Sequence, residues 1–569
     1  MAGEDWAEGE ELLRVFSRHA HTIPINGDDV ELLDTPAEFF ETLLIGIGTA
    51  QRSISLAALY IGIESRAEAR FIGALKAAAA DPARPELRLQ ILLDAARATR
   101  PCRDQEGSIS STAEVLAREL LLPFAGAQRA SVALFQTPHS RTSIRRVLPP
   151  RVREVLGVQH IKAFAFDDDV VLTGANISGA YLSDRQDRYW VVRRSPRLAA
   201  FVHGLVADVS SHSFQLESTA TGRGPTDAEA APPPRAAAPP APLGEEEGLS
   251  RGARRLLHLR HRGSAAAAAT RGGPPAPGAG PGSYVLRPAP VGVNPSHTPA
   301  VFRRSLRYAL LRRFVPGGAW GSTLDGAALR ELDDLAPEAR GGGDPAAPAA
   351  QDTAADTVIL PTVQAGFLGL RQEELRLSTP YLNLARGLAA ALAAAPRLPL
   401  RLLTSSPEAN GFWGSAGLSR HIPLAYAALE ARTWRALAPP RGRPGAAPRV
   451  LLEYARPGWQ FHAKGLWYGP SAPSAAGQAA RGRAAAERPL PPCFTAVGSS
   501  NYGARSQRRD LEAQFLVVTR NPRLRAAMER EWAGLEAHAV EVGPAQLQQP
   551  ARRAGPVVAG LVRLLKGFL

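Results

Sequence analysis

Apolar residues recur at helical spacing from Phe39 and Phe40 through Leu43 and Leu44 to Ile47, just behind Thr35, Pro36 and Glu38. A capping side chain, a proline at the first position and an acid at the third predict the start of a helix there. From residue 53 the period falls to two. Ile54, Leu56, Ala58 and Tyr60 share one side and predict a strand over 53–61. A helical pattern follows over about 64–80. Short apolar runs at 87–94, 131–136, 159–166 and 170–173 predict further strands, and a second series falls at 375–378, 398–404, 449–454, 461–468, 494–497 and 514–518. Helical stretches separate several of them. Such alternation predicts an α/β fold with a mixed β-sheet flanked by helices in each half of the chain.

Three stretches break the pattern. Residues 219–283 are rich in Pro, Ala and Gly, and shorter segments of the same kind lie at about 336–352 and 469–492. None can build a core. The expected organisation is an N-terminal extension (1–20), a first α/β domain (21–218), an insertion (219–283), a second α/β domain (284–545) and a C-terminal tail (546–569). The tail is apolar with Arg563 and Lys566. It reads either as a membrane-interface helix or as a helix packed on the domain. A basic run inside the insertion, 251–262, could touch anionic lipid or do nothing.

Composition narrows the classes. A hydrophobic share of 45% in 569 residues excludes a wholly disordered chain. Two cysteines exclude a disulfide framework and a Cys-rich zinc site. No run of 18 apolar residues occurs, so no membrane-spanning helix is expected, and the acidic N-terminus carries no recognisable targeting signal. A net charge of +14 suits an anionic partner, although a general bias toward Arg, Ala, Gly and Pro accounts for part of it.

That bias makes lysine informative. The chain has four, Lys76, Lys162, Lys464 and Lys566, and two of them stand in His-x-Lys, at His160–Lys162 and His462–Lys464. With 12 histidines in the chain, a given Lys has about a 2% chance of such a neighbour. The residues downstream repeat as well. Asn176 follows Gly174-Ala175, and Asp187 comes 11 positions later; Asn501 follows Gly498-Ser499-Ser500, and Glu512 comes 11 later. An apolar strand pattern follows each acid. The intervals from His to Asn, 16 and 39 residues, differ by about the length of the 469–492 insertion. The chain thus contains an internal repeat: His-x-Lys, strand, turn, strand, Asn, acid.

On a strand, His and Lys two apart share a face. The acid can accept from the His Nδ1–H and leave Nε2 free. Two such sets facing one another would gather two His, two Lys and two Asn. Lys and Asn donate to phosphoryl oxygens, one His can attack phosphorus, and the other can move the proton. This is phosphoryl-transfer chemistry built from side chains, and it calls for no cofactor and no metal.

The stretch His160-x-Lys162-x4-Asp167 resembles the HKD motif of the phospholipase D superfamily. The second copy, FHAKGLWYG, has Gly469 in place of the Asp. The fuller context, TPHSRTSIRRVLPPRVREVLGVQHIKAFAFDDDVVLTGANISGAYLSDRQDRYW over 137–190, resembles the eukaryotic phosphatidylglycerophosphate synthases. So do STPYLNL, LTSSPEANGFWG, FHAKGLWY and GSSNYGARSQRRDLEAQ. The family implies two phospholipase-D-like domains, pseudo-two-fold related, with the active site between them. It implies transfer of a phosphatidyl group from CDP-diacylglycerol to sn-glycerol 3-phosphate, peripheral contact with a phospholipid membrane, and a mitochondrial location on the path to cardiolipin. No nucleic acid partner is expected. FHAKGLWY is a form the family's second motif takes.

By the same resemblance His160 is the nucleophile and His462 the acid and base, or the reverse. Lys162, Lys464, Asn176 and Asn501 bind phosphoryl oxygens, Asp187 and Glu512 orient the histidines, and Asp167 travels with the catalytic motif as a structural, site-adjacent acid. The segment 407–413, with Asn410 and Phe412, reads as a substrate loop or an ordinary Asn-Gly turn. Arg185, Arg188, Arg505, Arg508 and Arg509 could receive a second phosphate or form a solvated basic face. Other readings are a phosphatidylserine synthase, phospholipase D or nuclease of the same superfamily, or an inactive lipid-binding relative.

Overall fold

The protein is described from a computed structural model covering residues 23–124, 129–137, 154, 157–218, 284–287, 357–362, 374–415, 417–438, 445–469, 491–552 and a few positions up to 562. The 1–20 extension, nearly all of the three low-complexity stretches and the 251–262 basic run lie outside these residues.

The predicted helix start is present in full. Helix Pro36–Thr49 opens on Thr35, whose hydroxyl accepts from the Glu38 N–H at 3.2 Å while the Glu38 carboxylate accepts from the Thr35 N–H at 3.0 Å. Helix Arg66–Ala80 repeats the device with Ser65 and Glu68. The strands assemble into two nine-stranded mixed sheets. In the first, Ser53–Ala57, Arg88–Asp94 and Ala130–Phe135 run parallel. On the other side of Ser53–Ala57 lie Ala163–Phe166, Asp169–Thr173, Tyr189–Val192 and Val30–Leu33, each antiparallel to the last. The second sheet repeats this order: Glu374–Ser378, Leu400–Ser405 and Arg449–Tyr454 are parallel, and Gly465–Gly469, Phe494–Gly498, Gln514–Thr519 and Thr357–Thr362 follow antiparallel. The repeat read from the two His-x-Lys pairs is therefore a repeat of sheet topology.

The sheets exchange edge strands. Ile23–Ile25, from the N-terminal side, pairs with Thr357–Thr362, while Tyr284–Arg287 pairs with Phe214–Ser218 on the first sheet. One apolar core spans both sheets. It includes Ala163, Ala165 and Trp190 from the first, Trp467, Phe515 and Val517 from the second, and helices Pro196–Ser211 and Pro522–Glu536. Burial of this continuous surface is the main force holding the halves together.

Arg188 adds a polar bolt across the same interface. Its Nε and Nη2 donate to both carboxylate oxygens of Glu531 at 2.8 and 2.7 Å, Nη1 donates to the Ala496 carbonyl at 2.7 Å, and its guanidinium lies 3.9 Å from the Trp467 ring centre. A Cβ on Gly465 would stand 2.0 Å from Nη1, so glycine is required there. In the tail, Val558 and Val562 pack on Ala425 and Leu429 of helix Ile422–Leu437. No described helix is long and apolar enough to cross a membrane.

Candidate active site

The His-x-Lys segments were expected inside strands. They lie just before them. The first strand begins only at Ala163, and the second is interrupted between Phe461 and Gly465. The reason is that their backbones pair with the opposite half. The His160 N–H donates to the Leu511 carbonyl at 2.7 Å, and the His462 N–H donates to the Gln186 carbonyl at 2.8 Å. Each histidine is thus clamped against the residue that precedes the other half's acid.

That clamp crosses the acid pairing. His160 Nδ1 meets Glu512 at 2.9 Å, and His462 Nδ1 meets Asp187 at 2.6 Å. The repeat unit predicts an acid for each histidine within its own half; the structure supplies it from the other half. Neither half can orient its own imidazole. With Nδ1–H donated to a carboxylate, Nε2 carries the lone pair, which on His462 meets the Tyr181 hydroxyl and Lys464 Nζ.

All of these groups are buried. Burial lowers the His160 pKa, partly opposed by Glu512, and together with Lys464 it holds His462 well below the usual histidine range. Both imidazoles are therefore neutral near pH 7. Burial also lowers the two ammonium groups, Lys162 to about 7 and Lys464 to about 8, against the pull of Glu512 and Asp187. Lys464 lowers Lys162 further, and Lys162 and His160 both act on His462, which places the two halves' cations in one cluster. Burial pushes Glu512 up, but His160, Lys162 and the Ser499 hydroxyl at 2.5 Å outweigh it and hold the carboxyl at about 2. Burial wins at Asp187 and raises it despite Lys464.

Lys162 Nζ donates to the His160 carbonyl at 2.7 Å; Lys464 Nζ donates to the His462 carbonyl at 2.6 Å and lies 3.6 Å from Asp187. Asn176 and Asn501 stand just past the strands that neighbour the two His-x-Lys strands, and the side-chain oxygen of each is buried without a hydrogen bond. Buried polar atoms of that kind are normally satisfied, so two at matching positions mark a place for a polar ligand. Among the described residues, no cluster of three or more His, Cys, Asp or Glu is arranged to hold a metal ion.

Similarity to known proteins follows the same frame. No protein-family profile matches the chain. It is 29% identical over 96% of its length to the "CDP-diacylglycerol--glycerol-3-phosphate 3-phosphatidyltransferase, mitochondrial" of Gallus gallus, covering 84% of that protein. The Homo sapiens protein of the same name is 28% identical over 96% of the chain and 84% of its own length. A probable enzyme of this name from Dictyostelium discoideum is 26% identical over 92% and 74%. The chain is a homologue of these phosphatidyltransferases. Its fold matches the crystal structure of a phosphatidylserine synthase from Haemophilus influenzae, with a TM-score of 0.57, 17% identity and 99% of both chains covered.

Several candidates fall in new places. Asp167, carried with the catalytic motif, does not join the cluster. It sits in the turn between Ala163–Phe166 and Asp169–Thr173 with φ of 50°, and its carboxylate accepts from the backbone N–H groups of Gln51, Arg52 and Ser53 at 2.7–2.9 Å. Those contacts hold the hairpin to the start of the neighbouring strand. Arg188 is consumed by Glu531, and Arg505 pairs with Asp510 at 2.9 Å, so neither is free for phosphate. Asn410 turns its carboxamide into its own loop, accepting from the Phe412 N–H at 3.0 Å, as an Asn-Gly turn requires. Phe412 and Trp413 stay 36% and 55% exposed, with Phe412 6.3 Å from Tyr381.

One site residue escaped the sequence reading. The Tyr181 hydroxyl lies 3.0 Å from His462 Nε2, with its ring edge-on to the imidazole. It stands between Asn176 and Asp187 of the repeat, and the second half offers no tyrosine at the matching step, so the repeat could not flag it.

Proposed function

We propose that the protein transfers a phosphatidyl group from CDP-diacylglycerol to sn-glycerol 3-phosphate, giving phosphatidylglycerophosphate and CMP. The observation that carries this reading is the crossed pair of buried His–carboxylate units flanked by two buried lysines. That site lies in a chain homologous along nearly its whole length to proteins named for the reaction.

His160 Nε2 attacks the diacylglycerol-bearing phosphorus, and the P–O bond to CMP breaks. A phosphatidyl-histidine results. The glycerol 3-phosphate hydroxyl then attacks the same phosphorus, His462 Nε2 takes its proton, and the P–N bond breaks to release His160. CMP leaves on its own weakly basic phosphate oxygen without a proton from the neutral His462, and the proton that His462 takes from the acceptor passes to solvent before the next turnover. A phosphate oxygen is a weak base with a second pKa near 6, so the first transfer makes little demand. Deprotonating an alkyl hydroxyl makes far more. Lys162 and Lys464 neutralise the non-bridging oxygens, Asn176 and Asn501 donate to them, and Glu512 and Asp187 hold each Nδ1–H.

His160 receives the nucleophile's role because no described group occupies its Nε2, whereas Tyr181 occupies that of His462. The exposed Phe412–Trp413 pair, on a loop beside Tyr381, supports docking to a phospholipid surface, where such rings settle at headgroup level. A mitochondrial location follows the relatives' names.

The test is CMP release from CDP-diacylglycerol in mixed micelles, with and without glycerol 3-phosphate. Release that needs glycerol 3-phosphate and is lost in His160→Ala supports the reading. Folded protein inert toward glycerol 3-phosphate, or one that prefers serine or water, overturns it.

A further inference from the structure

The arginines around the site are not equivalent. Arg188 is saturated by Glu531, Thr495 and a backbone carbonyl, Arg505 is matched by Asp510, and Arg97 and Arg100 share Glu154. Arg185 is different. Its Nε and Nη2 both donate to one neutral oxygen, Gln460 Oε1, and among the described residues no carboxylate lies within ion-pair distance. A guanidinium carries five N–H donors, so beyond Gln460 and the Tyr181 side chain part of its capacity is left, and no described carboxylate neutralises its charge. A partly buried cation without a counter-ion is costly unless an anion completes it.

Its surroundings say where that anion would sit. The guanidinium lies 4.3 Å from the Tyr181 ring centre, and Tyr181 in turn touches His462. On another side is Gly411. A Cβ there would come within 3.2 Å of Arg185 Nη2 and 3.5 Å of the Tyr381 hydroxyl, so glycine leaves both donors uncovered. Tyr381 is edge-on to His462 at 6.2 Å. Arg185 and Tyr381 therefore flank the His462 side of the site, set back from the histidine by the width of one aromatic ring.

That offset separates the two substrates. In the donor, the two phosphates share a bridging oxygen, so both must lie at the lysines. In the acceptor, three carbons separate the attacking hydroxyl from the phosphate, so a cation for it must stand back from the base. Building on the transferase reading, we propose that Arg185, with the Tyr381 hydroxyl, forms an anion subsite for the phosphate monoester of the acceptor and directs its free hydroxyl to His462. This subsite would select glycerol 3-phosphate over acceptors that lack a phosphate, such as serine, glycerol or water.

The test is steady-state kinetics of the full chain in CDP-diacylglycerol micelles, with Arg185→Gln, Arg185→Lys and Gly411→Val. Loss of a charge-assisted bidentate contact predicts a rise of roughly 10- to 100-fold in the KM for glycerol 3-phosphate in Arg185→Gln. The KM for CDP-diacylglycerol should move less than about threefold. Arg185→Lys should be intermediate, because it keeps the charge and loses the fork. Gly411→Val, which leaves the arginine in place and fills the space beside it, should raise the same KM and decides the matter if Arg185→Gln does not fold. Inorganic phosphate should compete with glycerol 3-phosphate in the parent protein and less so in Arg185→Gln. An unchanged acceptor KM in both Arg185→Gln and Gly411→Val overturns the proposal. A rise in the donor KM instead overturns it by assigning the guanidinium to the CDP moiety. Failure of the parent protein to use glycerol 3-phosphate at all would be a different result, sinking the transferase reading before any variant is compared.

Discussion

The His160 and His462 sides of the site share a frame and differ in what touches the reactive nitrogen. Both imidazoles hang from a segment clamped to the other half, both donate Nδ1–H to a carboxylate from that half, and both have a lysine anchored on their own carbonyl. Yet Tyr181 meets Nε2 only on the His462 side, and Lys464 adds an approach to Asp187 that Lys162 does not make to Glu512. Duplication thus builds a symmetric scaffold, and the proposed division of roles rests on contacts the two copies do not share: the Tyr181 hydroxyl, and Lys464 Nζ 3.1 Å from His462 Nε2. A bare Nε2 suits attack on phosphorus, and a phenol-held Nε2 suits a nitrogen that only exchanges protons.

The sharpest way to break this comparison is to remove each histidine in turn under single-turnover conditions. His160→Ala should release no CMP above background, a loss of at least about 10³-fold. His462→Ala should release close to one equivalent of CMP and then stall, because departure of CMP needs little proton help and attack by the acceptor needs a base; turnover falls about 10²–10⁴-fold. Rapid-quench measurement of CMP distinguishes the two. A burst from His160→Ala and none from His462→Ala would exchange the roles.

How much of this was readable beforehand follows the same division. Everything the duplication wrote twice along the chain could be found from sequence: the His-x-Lys pairs, the Asn, the acid at 11 residues, and a mixed sheet in each half, though not the order of its strands. Which half supplies each acid could not, because spacing along the chain carries no sign of a contact between residues 160 and 512 or 462 and 187. Tyr181 and the special status of Arg185 occur once, so no internal copy pointed to them. Arg188 fits neither reading that its charge offered, a phosphate ligand or a solvated basic face. Glu531, more than 300 residues away in the chain, consumes its guanidinium, and nothing in the local sequence signals that partner.

The lysines offer a pH test. In the free protein burial places Lys162 at about 7 and Lys464 at about 8, and only the protonated forms can neutralise phosphoryl oxygens. kcat/KM, which reports the free protein, should therefore begin to fall near pH 7, by up to tenfold per unit, and more steeply above about pH 8 where the second lysine also loses its proton, with apparent values that belong to the coupled pair. Bound substrate phosphates favour the charged form, so the limb in kcat should lie higher. Lys162→Arg keeps its charge throughout and should move the limb in kcat/KM upward, at a cost in rate. An alkaline limb unmoved in that variant would remove Lys162 from the titration.

Tyr181→Phe probes the asymmetry with a smaller change. It deletes one hydroxyl and leaves the ring beneath Arg185. Loss of a buried hydrogen bond of about 1 kcal/mol predicts a fall of roughly 3- to 10-fold in kcat. The pH dependence of kcat should shift with it, because His462 Nε2 has lost its partner, whereas single-turnover CMP release should hardly change. Equal effects on both phases would make Tyr181 a packing residue.

The least effect on chemistry is expected where the two motifs differ most visibly, at Asp167 and Gly469. Asp167 accepts three backbone N–H bonds in a hairpin turn, so Asp167→Ala should cost stability, of order 1–2 kcal/mol for this partly exposed group, and leave kcat near that of the parent. The pH dependence follows from the direction of its shift. Burial tends to raise this carboxyl, but the N–H groups of Gln51, Ser53 and Arg52 outweigh it, so its folded pKa lies below the unfolded value. Its stabilisation is therefore present above the ordinary carboxylate range and is lost as pH falls through the folded value. Parent and variant should have different melting temperatures at pH 7 and converge in acid. Gly469→Asp restores the motif on paper, but a Cβ there would lie 2.6 Å from Pro492 Cα. It should lower the melting temperature and bring no gain in rate. A gain would mean that the acid of the motif reaches the reaction after all, and that the second half is the impaired one.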